Sequence, residues 1–336
     1  MLRGLGVMSN EIKEKSKLSR MISELWIVFV FLAIYLIFVI LEPLCFSLPF
    51  WSSTFNYMSE VLILAVGVMF VVITGGIDLS IGPVEGCVNV LAALAIKALV
   101  PSIGAGLAIA CGVLVALLTG ALIGLINALV ITKLKLAPFI ATLGMSVILT
   151  GLGYVFCNGL EVVGLPNEIS DIGTYQLFGF LGTTTLVAFL VCGVFGVILK
   201  TTRFGVHTYA YGSNAESTKR VGIDSTKHLI RVYMLCSILA ALAGMTLMFR
   251  FKTGSPIAGQ NVTLYAIAAC VIGGTSVMGG TGKMIGTLIG SLIISILVTG
   301  LVMLGVQTYW QQVATGIIII FAVYSDQLRR RRDLTV

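Results

Sequence analysis

Apolar residues run along this chain in long blocks, and polar residues collect in the gaps between them. The blocks lie at about 25–41, 60–77, 84–100, 103–131, 138–157, 178–199, 230–249, 262–279, 284–304 and 311–325. A helix needs about 20 apolar residues to cross a bilayer, so the pattern predicts an all-α bundle of about ten spans. A polar lead, 1–24, precedes the membrane region at 25–325, and a basic tail, 326–336, follows it. One long interruption, 200–231, holds both histidines, His207 and His228, and eight charged residues.

Composition supports this reading. The chain is 58% hydrophobic and 10% charged, with a mean hydropathy of +1.06. Soluble domains carry about 25% charge, which excludes that class. The seven cysteines are scattered singly, with no CxxC pair and no histidine cluster. They read as small buried hydrophobes, and no metal site is expected.

The net charge of +7 is distributed by topology and gives no reason to expect a nucleic-acid partner. With the N-terminus inside, all 21 basic residues except Lys97, Arg250 and Lys252 fall on inner segments. The positive-inside rule then predicts both termini and the 200–231 loop in the cytoplasm. Glu42-Pro43-Leu44-Cys45 stands where a signal-peptide cleavage site would need small residues, so the first span is expected to be retained. Met8 is an alternative start that leaves an ordinary cytoplasmic lead.

Two stretches interrupt the helical pattern. In Ile73-Thr74-Gly75-Gly76-Ile77-Asp78-Leu79-Ser80-Ile81-Gly82-Pro83 the paired glycines can leave one helix, and Pro83 can open the next. Asp78 and Ser80 have two readings here: capping of the new helix, or a place on a gate or translocation path. The placement of the spans puts Asp78 near the cytoplasmic face. The second stretch, Ile272 to Lys283, mimics a phosphate loop but fails its spacing, with Val277 and Met284 at required positions. It predicts an irregular turn or half-helix. Asn89, Asn127 and Ser276, with Thr142 and Ser146, add neutral polar groups that either line a path for an uncharged polar solute or bond neighbouring helices. Gly282, Gly286 and Gly290 recur on one helix face, and Gly120 with Gly124 forms a shorter GxxxG; both predict close helix packing.

Within the polar interruption, Ser213-Asn214-Ala215-Glu216 has the form of a capping box. It predicts a short helix through Val221, with Lys219 and Arg220 turned outward and Gly222 as a left-handed stop. A helix this short must pack against its own bundle or a partner.

The run Gly75-Gly76-Ile77-Asp78-Leu79-Ser80-Ile81-Gly82 resembles a signature of the ribose-type permeases of bacterial ABC importers. Lys135 to Gly144, Arg203-Phe204-Gly205 with Tyr211 to Glu216 and Val221-Gly222-Ile223, and Ala268 to Gly282 are similar to further segments of that family, in the same order from about Glu60 to Tyr324. Ser213 departs from the second glycine that often precedes the asparagine there. The resemblance implies a type II ABC importer-like permease that pairs with a second permease, identical or related. It implies ATP-binding subunits beneath the pair and a periplasmic or lipid-anchored binding protein delivering a sugar or related polyol. Ser213 to Gly222 would then be the coupling helix. No cofactor is expected in the chain itself, since ATP would be bound by the partner. The protein would be an inner-membrane translocating subunit, not an enzyme, in contact with lipid. Competing readings are an ion-coupled secondary transporter, for which only Asp78 and Glu85 offer coupling carboxylates, and a related permease for branched-chain amino acids or nucleosides.

Overall fold

In the computed structural model, which describes residues 27–314 together with 316, 317, 320 and 324, the chain is a helical bundle built around one central helix. That helix, α2 (Leu48–Ile73), follows the short α1 (Ile27–Leu41) and a 3-10 turn, Pro43–Phe46. Ser47 starts α2 by accepting the Phe50 amide at 3.4 Å, and Pro49 sits in the first turn, where a missing N–H costs nothing. From Met58 to Ile73 every residue is buried. A helix apolar all round belongs in a core, and α2 is walled by α7, α10, α11 and α12.

A hairpin of α3 (Ile81–Ile103) and α4 (Ala105–Thr132) turns at Gly104, whose φ of +77° suits glycine. The fourth helix packs along α10 (Ser225–Phe251). A Cβ at Gly120 would stand 2.7 Å from the Ser237 carbonyl oxygen, and one at Gly124 2.6 Å from that of Tyr233. That GxxxG is therefore a seam inside this chain. By contrast α5 (Pro138–Phe156) buries only Ala141, Thr142, Leu149 and Gly153 and turns most of its length outward.

After α5 come α6 (Asn167–Thr174) and a two-stranded hairpin, β1 (Gln176–Leu177) and β2 (Leu181–Gly182), pairing Gln176 with Gly182. The span expected from 178 therefore begins later, as α7 (Thr183–Thr201), because Phe178 and Gly179 take positive φ to close the hairpin. Next are α8 (Arg203–Ser213), α9 (Ala215–Arg220) and α10.

The span expected at 262–279 is corrected by the structure. Its helix, α11, is Val262–Ile272, 11 residues or about 16 Å, half a hydrocarbon core. It ends because Gly274, Gly279 and Gly280 all take positive φ and lead the chain through an irregular turn into α12 (Met284–Met303). The glycine face of α12 packs on α11: Gly286 meets the Gly273 carbonyl and Gly290 that of Ala269.

Among the described residues seven helices are long and apolar enough to span a membrane, with α1 and α11 shorter. The protein is a multi-pass helical membrane protein. The lead 1–24, the tail 326–336 and seven of the fifteen residues of the span expected at 311–325 lie outside the described residues.

Candidate functional site

Two features stand out at one end of the bundle: a docked pair of short helices and a buried break between α2 and α3. The short helices begin at Thr202, whose side chain caps α8 through the Gly205 amide. The helix then lies across the end of α2. A Cβ on Gly212 would stand 1.7 Å from the Ile73 carbonyl oxygen and 2.6 Å from the Gly280 amide nitrogen. That amide in turn donates to the Ile73 carbonyl at 2.8 Å. Tyr209 donates its hydroxyl to the Gly282 carbonyl at 2.8 Å. The end of α2, the end of α8 and the glycine-rich turn thus meet at one point.

The expected capping box is corrected. Ser213 is the last residue of α8, and the N-cap of α9 is Asn214, whose side chain accepts the Ser217 amide at 2.8 Å. Glu216 does not reach back; it pairs with Arg220 at 2.6 Å on an exposed face. The asparagine wins because the chain turns there, at φ −160° and ψ 101°, leaving its carboxamide over the first turn. Ala215 opens the helix, and Lys219, like Arg220, is exposed. Gly222 ends it at φ +86°, with its amide on the Lys219 carbonyl and the Ile223 amide on that of Thr218. Those two bonds define a Schellman stop.

The break between α2 and α3 folds back into the bundle. Ser80 meets Asn127, whose Nδ2 donates to its Oγ at 2.8 Å, and Asn127 lies about 8 Å inside the end of α4 at 1.5 Å per residue. Asp78 and Ser80 are fully buried, so the break is packed inside the bundle at that end. Asp78 Oδ1 accepts the Ser80 amide at 2.9 Å and its hydroxyl at 2.6 Å. Thr142 of α5, whose hydroxyl donates to the Pro138 carbonyl at 2.9 Å, accepts the Leu79 amide at 3.1 Å. Thr263 of α11 accepts the Gly82 amide at 3.0 Å. Three neighbouring helices therefore hold this break by side-chain bonds, replacing the helical bonds it lacks.

Asp78, Ser80 and Asn127 are thus brought together, while the other two proposed path residues are not. Asn89 bolts α3 to α10 and to the loop beyond it, donating to the Gly244 carbonyl and accepting the Ser255 amide, both at 2.7 Å. Ser276 serves the glycine-rich turn: its hydroxyl accepts the Met278 amide at 3.2 Å. Gly282 lies against Thr275 and Ile73 in the same turn.

At the opposite end lies a cavity of about 490 Å³ that the sequence did not disclose. Asn56, Tyr57, Arg250, Asn261, Tyr265 and Gln311 give it amide, guanidinium and phenol groups. Arg250 donates to the Asn56 carbonyl at 3.0 Å and lies within electrostatic range of buried Glu60. Glu60 stands at the edge of an apolar run and reads there as a boundary, yet α2 begins at Leu48 and carries it inside. The polar but helix-compatible stretch Trp51 to Ser59 was the available signal. Glu85 is also fully buried.

The comparisons agree with this architecture. Residues 51–323 match the model of a family described as branched-chain amino acid transport system / permease component. The chain belongs to that family. Among its relatives, the ribose import permease protein of Bacillus subtilis (strain 168) is 39% identical over 88% of this chain and 91% of its own. The ribose import permease protein of Escherichia coli (strain K12) is 36% identical over 83% and 87%. The galactose/methyl galactoside import permease protein of Haemophilus influenzae is 33% identical over 94% and 97%. No solved structure matches the chain. The permease family match takes in every element from α2 to α12, and with them the α8–α9 pair and the buried break.

Proposed function

We propose that this chain is the membrane-spanning permease subunit of an ATP-driven sugar importer, for a ribose-like monosaccharide or related polyol. Its similarity to ribose and galactose import permeases along almost their whole length supports the substrate class. The observation that carries the mechanism is the junction of Gly212, Ile73 and Gly280. A partner that moves α9 must move α8, and α8 bears directly on the end of α2 and on the turn that joins α11 to α12.

In this reading the α8–α9 end faces the cytoplasm, as the basic residues of the inner segments favour. Asn214, Glu216, Lys219 and Arg220 form the surface that a separate ATP-binding subunit grips, and that subunit binds the ATP. A periplasmic or lipid-anchored binding protein delivers the sugar at the other end, and a second permease, identical or related, completes the channel. The chain moves solute and leaves hydrolysis to its partner. Asp78, Ser80 and Asn127 act on the gate, where a buried carboxylate is costly enough to need a reason.

The test is reconstitution in proteoliposomes with the ATPase and the binding protein. Uptake of ribose or galactose should require ATP and the loaded binding protein. Uptake of leucine instead, or uptake driven by an ion gradient without ATP, would replace this reading with one of its competitors. Cysteine labelling at position 213, on a Cys-free background, should fail with an impermeant reagent in intact cells; strong labelling there would reverse the orientation.

A further inference from the structure

A second cavity, of about 420 Å³, opens at the α8–α9 end between the last turn of α2, the 133–137 turn and the start of α10. Tyr233, Tyr211, Ser225, Thr226 and Lys135 line it, with Gly76 at its floor. Tyr233 is 1% exposed, and its hydroxyl has no hydrogen-bond partner. The Ser225 hydroxyl is likewise buried without one. A buried hydroxyl left unpaired loses its bonds to water without replacement, so two beside one cavity point to an occupant that supplies them. Gly76 belongs to the same arrangement, since a Cβ there would stand 2.5 Å from the Tyr233 oxygen.

The chemistry of the lining selects the occupant. No Asp or Glu faces the cavity, so no carboxylate in the lining opposes an anion, and Lys135 is the one charged side chain in the lining. Donors are plentiful: besides Thr74 and Thr132, whose hydroxyls donate to backbone carbonyls, the lining holds the hydroxyls of Tyr211, Ser225, Thr226 and Tyr233, the Lys135 ammonium and the positive end of the 27-residue α10. Two carboxylates stand nearby, both outside the lining: Asp78, buried within electrostatic range of Tyr233 and held by Ser80, and Asp224. Of the two, Asp224 lies beside the first turn of α10. Asp224 caps that turn, taking the Lys227 amide at 3.0 Å and pairing with the Lys227 ammonium at 3.3 Å. We propose that this cavity is an oxyanion site that binds a phosphate group through Tyr233, Ser225 and Lys135. Because Gly75 and Gly76 form its wall, an occupant would bear on the α2–α3 break. On the orientation proposed above, the phosphate comes either from a free phosphate in the cytosol or from an anionic lipid of the inner leaflet.

Thermal unfolding of the purified full chain provides the test, with inorganic phosphate titrated against chloride at equal ionic strength. Phosphate should raise the midpoint, and Tyr233→Phe and Lys135→Gln should each weaken its apparent affinity about tenfold, as loss of a charge-assisted hydrogen bond does. Without phosphate, Tyr233→Phe should unfold at or above the wild-type midpoint, because the lost hydroxyl has no protein partner. Nanodiscs separate the sources. A phosphate response that survives in phosphatidylglycerol discs assigns the site to a soluble ligand, and one that appears only in phosphatidylcholine discs assigns it to the lipid headgroup. No specific response to phosphate in detergent or in either disc, or a full response in the Tyr233→Phe, Lys135→Gln double variant, would overturn the proposal. That outcome would leave the importer reading untouched, since sugar uptake tests it separately.

Discussion

Gly212 and Ile73 touch so closely that a single added carbon on Gly212 would lie 1.7 Å from the Ile73 carbonyl oxygen. Gly280 already donates its amide to that carbonyl, so it cannot swing aside without breaking a bond. Three segments far apart in sequence are thereby joined where motion from outside the membrane would enter. Gly212→Ala should push α8 off α2 and abolish transport while ATP hydrolysis by the partner continues. Wild-type uptake in proteoliposomes would show that the junction transmits nothing.

The cap of α9 offers a graded test. Asn214→Ala removes the acceptor of the Ser217 amide and should cost about 1 kcal/mol of local helix stability. Glu216→Ala removes an exposed ion pair worth about 0.3–0.5 kcal/mol at most. ATPase stimulation by the loaded binding protein should fall more for Asn214→Ala. Gly222→Val, which forces a branched residue to φ +86°, should have the largest effect of the three. The reverse order would place the important contacts in the Glu216 side chain itself.

The two glycine faces should behave differently from an outward one. Gly286→Ala would put its Cβ 1.9 Å from the Gly273 carbonyl oxygen, a backbone atom that cannot rotate away. A loss of about 1–3 kcal/mol is expected from such overpacking. Gly144 on α5 has open space at the same position, and Gly144→Ala should be neutral or stabilising in the isolated chain. Thermal unfolding in detergent separates them; equal midpoints would mean that α11 and α12 do not pack as described.

Thr142→Val should loosen the α2–α3 break. The change keeps the shape but strands the half-buried Leu79 amide, which costs about 1 kcal/mol. Increased proteolysis or hydrogen exchange between Thr74 and Ser80 is the expected result, with α10 unaffected. Wild-type exchange there would show that Asp78 and Asn127 hold the break unaided.

Asp224 supplies a pH test. The Lys227 amide that it accepts, with the Lys227 charge, holds its carboxyl below the usual range. A depressed value stabilises the folded state above the unfolded pKa, about 3.9, and this contribution is lost as pH falls through the folded pKa. Asp224→Asn should keep the cap, since asparagine caps as well as aspartate, while flattening the part of the acid limb that belongs to this group. An unchanged limb, measured by melting midpoint from pH 5 downward, would mean that the cap holds in either charge state.

The linear chain by itself determined the class of fold, because a bilayer accepts few backbone solutions and long apolar runs announce one of them. It also located the Gly75–Pro83 break, the glycine-rich turn after Ile272, and the left-handed stop at Gly222, since these depend on local backbone freedom that only certain residues supply. What it could not decide was anything set by neighbours. The choice between Ser213 and Asn214 as cap depended on where α8 ended, and α8 ended where Gly212 met Ile73. The burial of Asp78 arose because Asn127, Thr142 and Thr263, three side chains from three other helices, hold the break around it. Glu60 was hidden because a charge beside an apolar run reads as its boundary until packing shows that it is inside, and half-buried Arg250 reads as a boundary in the same way. Periodicity and turn chemistry are local, so sequence carries them; burial, register between helices and the meeting of α2, α8 and the α11–α12 turn arise only when the bundle closes.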